Sequence, residues 1–177
     1  GDRELLSYLG RLPWSAKTKL AFQEQRLGMA HAVECAAPFI RETEAREFLL
    51  ASCDNLYPQA HVADLIACRR RHHLDAALTL MWTSREKATA SAVAFLRDGL
   101  VTDIIEKPDP EEIPSYHGRE EALSVPSLYA LSSRVLDYLV QVARSTRGER
   151  EFPDALRLLI ADGGKVGGQP VKCRMAL

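Results

Sequence analysis

The spacing of apolar and polar residues changes period repeatedly along the chain, and each change marks a boundary between a helix and a strand. Asp2 can cap a short amphipathic helix, Arg3 to Leu9, that Gly10 ends. Pro13 to Ser15 read as a turn, and Thr18 to Gln23 follow as a brief strand. Gly28 opens a helix of small and apolar residues that runs to Ile40, with Pro38 near its end. Glu47 to Cys53 is a continuous apolar run too short for a helix, which suits a strand buried on both faces. An amphipathic helix, Gln59 to His73, and a second apolar strand, Asp75 to Thr83, complete a repeated αβ unit. This pattern predicts a sheet with helices on both faces, and mostly parallel strands.

The second half changes character. Ala90 to Arg97 and Leu100 to Glu106 flank Asp98-Gly99, a dipeptide suited to a tight turn, so an antiparallel hairpin joins the sheet here. Lys107 to Ser124 hold several prolines and many charges and read as a loop. Val125 to Leu131 are strand-like, Ser132 to Arg144 helical, and Thr146 to Arg150 a polar break. Pro153 suits the first turn of a last helix that Gly163-Gly164 cap after Asp162, and Pro170 to Met175 read as a closing strand.

The composition fits this picture of one α/β domain over residues 1–177 with a core of its own, 46% of the residues being hydrophobic and 27% charged. A formal net charge of -1 argues against a nucleic-acid module, whose footprint is a strongly basic face. The one basic run, Arg69 to His73, closes a helix, where cations meet the negative end of its dipole. Cys35, Cys53, Cys68 and Cys173 show no C-x-x-C spacing, which suits reduced thiols in a cytoplasm. No apolar run approaches the length of a membrane span.

Three segments carry candidate chemistry. The run Phe48 to Asn55 delivers Asp54 at the carboxyl end of an apolar strand, the rim where open α/β sheets bind ligands. One carboxylate there, with substrate phosphates, is chemically enough for magnesium; the plainer alternative is a turn or a helix cap. Gln23 offers a donor and an acceptor to a nucleobase edge, and Gly28 lets a ligand approach the backbone, or simply serves a turn. Glu106-Lys107-Pro108 ends the hairpin with a carboxylate that can accept from sugar hydroxyls and an ammonium that can meet a phosphate, or with an exposed ion pair.

In this order the segments resemble the sugar-nucleotide nucleotidyltransferase family, which includes glucose-1-phosphate thymidylyltransferases and uridylyltransferases. Gln23 to Ala32 looks like the family's Q-x-x-x-L-G-x-A-x-A, Cys53-Asp54-Asn55 like its G-D-N, and Glu106-Lys107-Pro108 like its E-K-P. Val125 to Tyr129 is similar to its V-x-G-L-Y strand, and Glu151 to Asp154 to its E-x-x-D helix start.

The resemblance implies a three-layer, Rossmann-like nucleotidyltransferase fold and a reaction between a nucleoside triphosphate and a sugar 1-phosphate. By position, Gln23 and Gly28 would bind the nucleotide, Asp54 would hold Mg2+, and Asn55, Glu106 and Tyr129 would bind the sugar. Lys107 would meet the sugar phosphate and, with Asp54, form the catalytic pair. No nucleic acid or membrane is implied as partner, and a homo-oligomer is left open.

The chain also departs from the family pattern. Nothing before Gln23 resembles the glycine-rich signature with its Arg and Lys, and no second metal Asp follows. Ala90-Ser91 stand where the family has Y-G, and Ser127 where it has Gly. The fold is therefore expected to be incomplete at its amino-terminal side, with an exposed sheet edge. The departures leave open an alternative, a non-catalytic protein that keeps the fold and binds a sugar nucleotide or a partner subunit for regulation.

Overall fold

The computed structural model describes residues 2–13, 15–115 and 121–171. Helix α1 (Asp2–Leu9) precedes α2 (Met29–Glu42), strand β1 (Glu47–Ala51), α3 (Gln59–Arg71) and β2 (Ala76–Ser84). The one-turn α4 (Arg85–Ala88) leads to the hairpin β3 (Ala92–Arg97) and β4 (Leu100–Glu106), then β5 (Glu121–Val125) and β6 (Leu128–Ser132). The short α5 (Leu136–Leu139), α6 (Phe152–Ala161) and β7 (Val166–Pro170) follow.

A seven-stranded sheet in the order β1-β6-β2-β5-β3-β4-β7 forms the middle layer. Side chains of β2 alternate between its faces. Ala76, Leu78 and Leu80 join the core under α2, α5 and α6, while Ala77 joins Leu65 of α3 on the other face. Both faces of β2 being covered explains its apolar run, whereas no residue of β1 is buried, contrary to the strand buried on both faces expected there. His61 on α3 satisfies the buried hydroxyl of Thr79 across a 3.0 Å hydrogen bond.

Strand direction differs from the expectation of a mostly parallel sheet. Among the described ladders only β2–β7 is parallel. β1, β2 and β7 do run the same way, but β6 stands between β1 and β2 and opposes both. β5 and β6 are two halves of one interrupted strand along β2. Three steps from Leu78 to Met81 face five from Ser124 to Tyr129, so Pro126 and Ser127 are extruded. Four of the five residues of β5, Glu121 to Ser124, lie in the segment expected to be a loop, and they are strand because β2 and β3 flank β5.

The segment Thr18 to Gln23 forms no ladder, contrary to the strand expected there. Among the described residues no strand pairs with its backbone, Phe22 is 69% exposed, and Lys19 instead pairs with Glu42 and lies over the Phe39 ring on α2. Among the described residues β1 stands at one end of the sheet order, with Leu49 44% exposed.

The helix expected over Ser132 to Arg144 is broken into a 3-10 turn and α5. The closing strand begins earlier than expected, at Val166, and residues 172–175 of that expectation lie outside the described residues. Two turns agree with their sequences. Asp98 and Gly99 both have positive φ, as a tight hairpin requires. Gly163, at φ 76°, and Gly164 return hydrogen bonds to Ile160 and Leu159 and cap α6. Arg69 and Arg70, at the end of α3, pair with Glu47.

Candidate active site

Asp54 follows β1 in a short loop that leads to α3. That helix takes Pro58 as its N-cap, so Asp54 does not cap it. The loop is fastened to the extruded pair between β5 and β6. Ser52 N–H donates to the Ser127 carbonyl at 2.9 Å, and the Tyr57 hydroxyl donates to that of Pro126 at 3.1 Å. Ser52 Oγ lies 3.0 Å from the Tyr57 hydroxyl, and the Asn55 amide donates to both Ser52 Oγ and Asp54 Oδ1 at 3.0 Å. Hydrogen bonds with Ser52, its own backbone and Asn55 hold the Asp54 carboxyl below its ordinary pKa. The result is an exposed, ionised carboxylate on a tethered loop.

A cavity of about 430 Å3 opens beside it, lined by Asp54, Asn55, Thr83, Lys87, Ser91, Glu106, Ser124 and Ser127 among others. Hydroxyl groups and two carboxylates dominate its polar wall, a donor and acceptor set suited to a polyol. Glu106 is half-buried at the end of β4. Burial first, and then the negative charge of Glu151, push its carboxyl above the ordinary value of 4.5.

On the other side of Asp54 an apolar groove of about 540 Å3 runs between α2 and β1. Met29, Val33, Ile40, Leu49 and Cys53 line it, and Asp54 closes its end. Asp54 therefore stands where the two cavities meet.

The remaining candidates fall in different places. The Gln23 side-chain amide donates to the Gly28 carbonyl at 2.9 Å and lies 3.0 Å from His31 Nδ1, which brings both residues to the start of α2. Gly28 has φ +90°, and a β-carbon on it would lie 2.7 Å from the Arg150 carbonyl oxygen. The chain itself thus supplies one close approach that this glycine permits.

Two candidates differ from direct contact with this cavity. Tyr129 is 1% exposed, its ring tilted against Phe152 at 5.0 Å, because β6 turns that face into the core. It stands behind the wall, and burial raises its hydroxyl pKa. Lys107 is exposed and is not among the lining residues, and its backbone is left-handed with φ 48°.

Lys87 and Glu151 belong to the same neighbourhood. Lys87 lines the cavity from α4, and no motif singles it out in the sequence. Glu151, whose place in the E-x-x-D segment was a usable signal, is buried at the start of α6. It accepts from Ser145 Oγ at 3.0 Å and from Arg147 at 2.8 Å. Among the described residues no group of three or more His, Cys, Asp or Glu could hold a metal, so any ion at Asp54 would need oxygens from substrate. No helix among them is long and apolar enough to cross a membrane.

Asp54 thus stands between two cavities at the carboxyl end of a strand, the rim where open α/β sheets bind ligands. The family model for nucleotidyl transferases matches residues 2–171, and the chain belongs to that family.

Among curated relatives, it is 31% identical over 174 residues to the low-salt glycan biosynthesis nucleotidyltransferase Agl11 of Haloferax volcanii, covering 97% of this chain and 45% of that protein. It is also 31% identical to the UTP–glucose-1-phosphate uridylyltransferase AglF of the same organism, over 81% of this chain and 54% of that one. The chain thus spans about half the length of these relatives. A crystal structure of UDP-glucose pyrophosphorylase complexed with UDP-glucose superposes with a TM-score of 0.75 at 18% identity. The match covers 99% of this chain and 71% of that one, and it shows a shared fold.

Proposed function

We infer that this chain forms part of a nucleotidyltransferase that joins a nucleoside triphosphate to a sugar 1-phosphate. A phosphate oxygen of the sugar 1-phosphate attacks the α-phosphorus, the bond between the α- and β-phosphates breaks, and pyrophosphate leaves with an NDP-sugar as product. The observation that carries this reading is the position of Asp54 between an apolar groove and a hydroxyl-rich cavity, each with its own chemistry.

In this reading the base and ribose lie toward the start of α2, where Gln23 and Gly28 stand, and the sugar lies in the cavity with Asn55 and Glu106. Asp54 is an ionised oxygen donor with an open side, and this fits Mg2+, which is held by one or two carboxylates and completed by substrate phosphates. The ion would neutralise phosphate charge. Lys107, exposed beside Glu106, adds a cation for the sugar phosphate, and Tyr129 supports the wall from behind. Positioning and charge neutralisation are the main demands of phosphoryl-type transfer, and these residues meet part of them. Free Cys35, Cys53 and Cys68 suit work in a reducing cytoplasm.

The test is pyrophosphate release by the full natural chain with a panel of sugar 1-phosphates and nucleoside triphosphates, with and without magnesium. Magnesium-dependent release with at least one pair is expected. Binding of both substrates without release would make the protein a non-catalytic binder, and failure to bind either would overturn the reading.

A further inference from the structure

Lys87 is the one cation among the residues that line the hydroxyl-rich cavity, whose wall also holds the two carboxylates Asp54 and Glu106. Its ammonium has no ion-pair partner among the described residues. The short turn that carries it is held firmly. Ser84 Oγ accepts the Lys87 N–H at 3.4 Å, and Ala88 is fully buried with Val93, Ile113 and Ala122. The neighbouring Arg85 guanidinium donates to the carbonyls of Pro110 and Ile113 at 2.9 Å and of Pro114 at 3.1 Å. An ammonium with no ion-pair partner among the described residues, carried on an anchored turn, is available to meet an anion.

The register says which part of a ligand it would meet. Thr83 pairs with Ala122 and Ser84 with Glu121, so α4 leaves the sheet beside the first residues of β5. The Asp54 loop is tied beyond the other end of β5, at Pro126 and Ser127. Four residues of extended strand span about 13 Å, enough to place a sugar ring between an anion at the Asp54 end and a second one at the Lys87 end.

Resting on the reading above, in which the anomeric phosphate lies toward Asp54, we propose that Lys87 selects a sugar 1-phosphate bearing a second oxyanion, a carboxylate or a phosphate, on the ring's far side. Glu106 stands in the same wall, and the Lys87 charge offsets the repulsion its carboxylate would exert on such a group.

Calorimetric titration of the full natural chain with glucose 1-phosphate, glucuronic acid 1-phosphate and glucose 1,6-bisphosphate tests this. One of the doubly anionic ligands should bind about tenfold more tightly than glucose 1-phosphate, and which one does so separates a carboxylate preference from a phosphate preference. Lys87→Met should erase that advantage while leaving glucose 1-phosphate within about twofold, and Lys87→Arg should retain most of it. Equal affinity for all three ligands, or an advantage that survives in Lys87→Met, overturns the proposal with the sugar-phosphate reading intact. Failure of the wild-type protein to bind any of the three overturns both.

Discussion

The carbonyl oxygen of Arg150 lies 2.7 Å from the point where a β-carbon on Gly28 would be, so the start of α2 and the segment before α6 meet at a position that admits no side chain. The contact is reinforced in both directions: Arg150 N–H donates to Leu27 at 2.6 Å, and Ala30 N–H to Arg150 at 3.0 Å. Gly28→Ala would combine that clash with an unfavourable φ of +90°. Its expected cost is about 2 to 3 kcal/mol, read as a lower midpoint in thermal or denaturant unfolding. An unchanged midpoint would show that the two segments part easily.

The Tyr57 hydroxyl links the Asp54 loop to the break between β5 and β6, and replacing it separates the loop's position from its charge. Tyr57→Phe removes the 3.1 Å bond to the Pro126 carbonyl and the 3.0 Å contact with Ser52 Oγ, leaving the ring in place. A stability loss of about 1 kcal/mol is expected. The kinetic loss should be larger than that stability loss suggests, because Asp54 would no longer be held in position. A variant that loses stability and keeps full turnover would show that the tether has no role in positioning.

What the sequence disclosed and what it hid follow from the range of each interaction. Asp54 was legible because an apolar run that ends in a carboxylate is a local pattern, and the turn at Asp98-Gly99 and the cap at Gly163-Gly164 are local too. Strand direction was not legible: a period of two is the same in parallel and antiparallel strands, so nothing in Leu128 to Ser132 announces that β6 opposes β1. β5 was hidden because two neighbouring strands, and not its own five residues, make it a strand. Thr18 to Gln23 erred the other way, with strand-like residues and no strand beside them. At the site, Lys107 was named by its motif, but its left-handed backbone, with φ 48°, is a conformational fact that the motif does not encode.

Asp54 is exposed, and its hydrogen bonds run to Ser52, Asn55 and its own backbone within one loop, so its charge can be removed with little structural consequence. Asp54→Asn should leave the unfolding midpoint within about 0.5 kcal/mol of the original. Magnesium-dependent pyrophosphate release should fall by at least about a hundredfold. Retained turnover in a folded Asp54→Asn protein would remove Asp54 from the proposed metal site. A loss of fold would contradict the exposure seen here.

Glu106 supplies a prediction in the pH dependence of stability. Its carboxyl is pushed above 4.5 chiefly by burial and next by the Glu151 charge, so folding disfavours its ionised form. The folded protein then binds its proton more tightly than the unfolded chain does. This contribution is fully present below the unfolded carboxyl's pKa and is lost as pH rises through the higher folded value. Glu106→Gln removes the titration. The stability of the variant relative to the original should therefore increase as pH rises from about 4 toward neutrality and level off once the folded carboxyl has ionised. Denaturant unfolding of both proteins across that range measures the difference directly. A gap that is constant with pH, or that narrows as pH rises, would mean that Glu106 is better compensated in the folded site than its burial beside Glu151 implies.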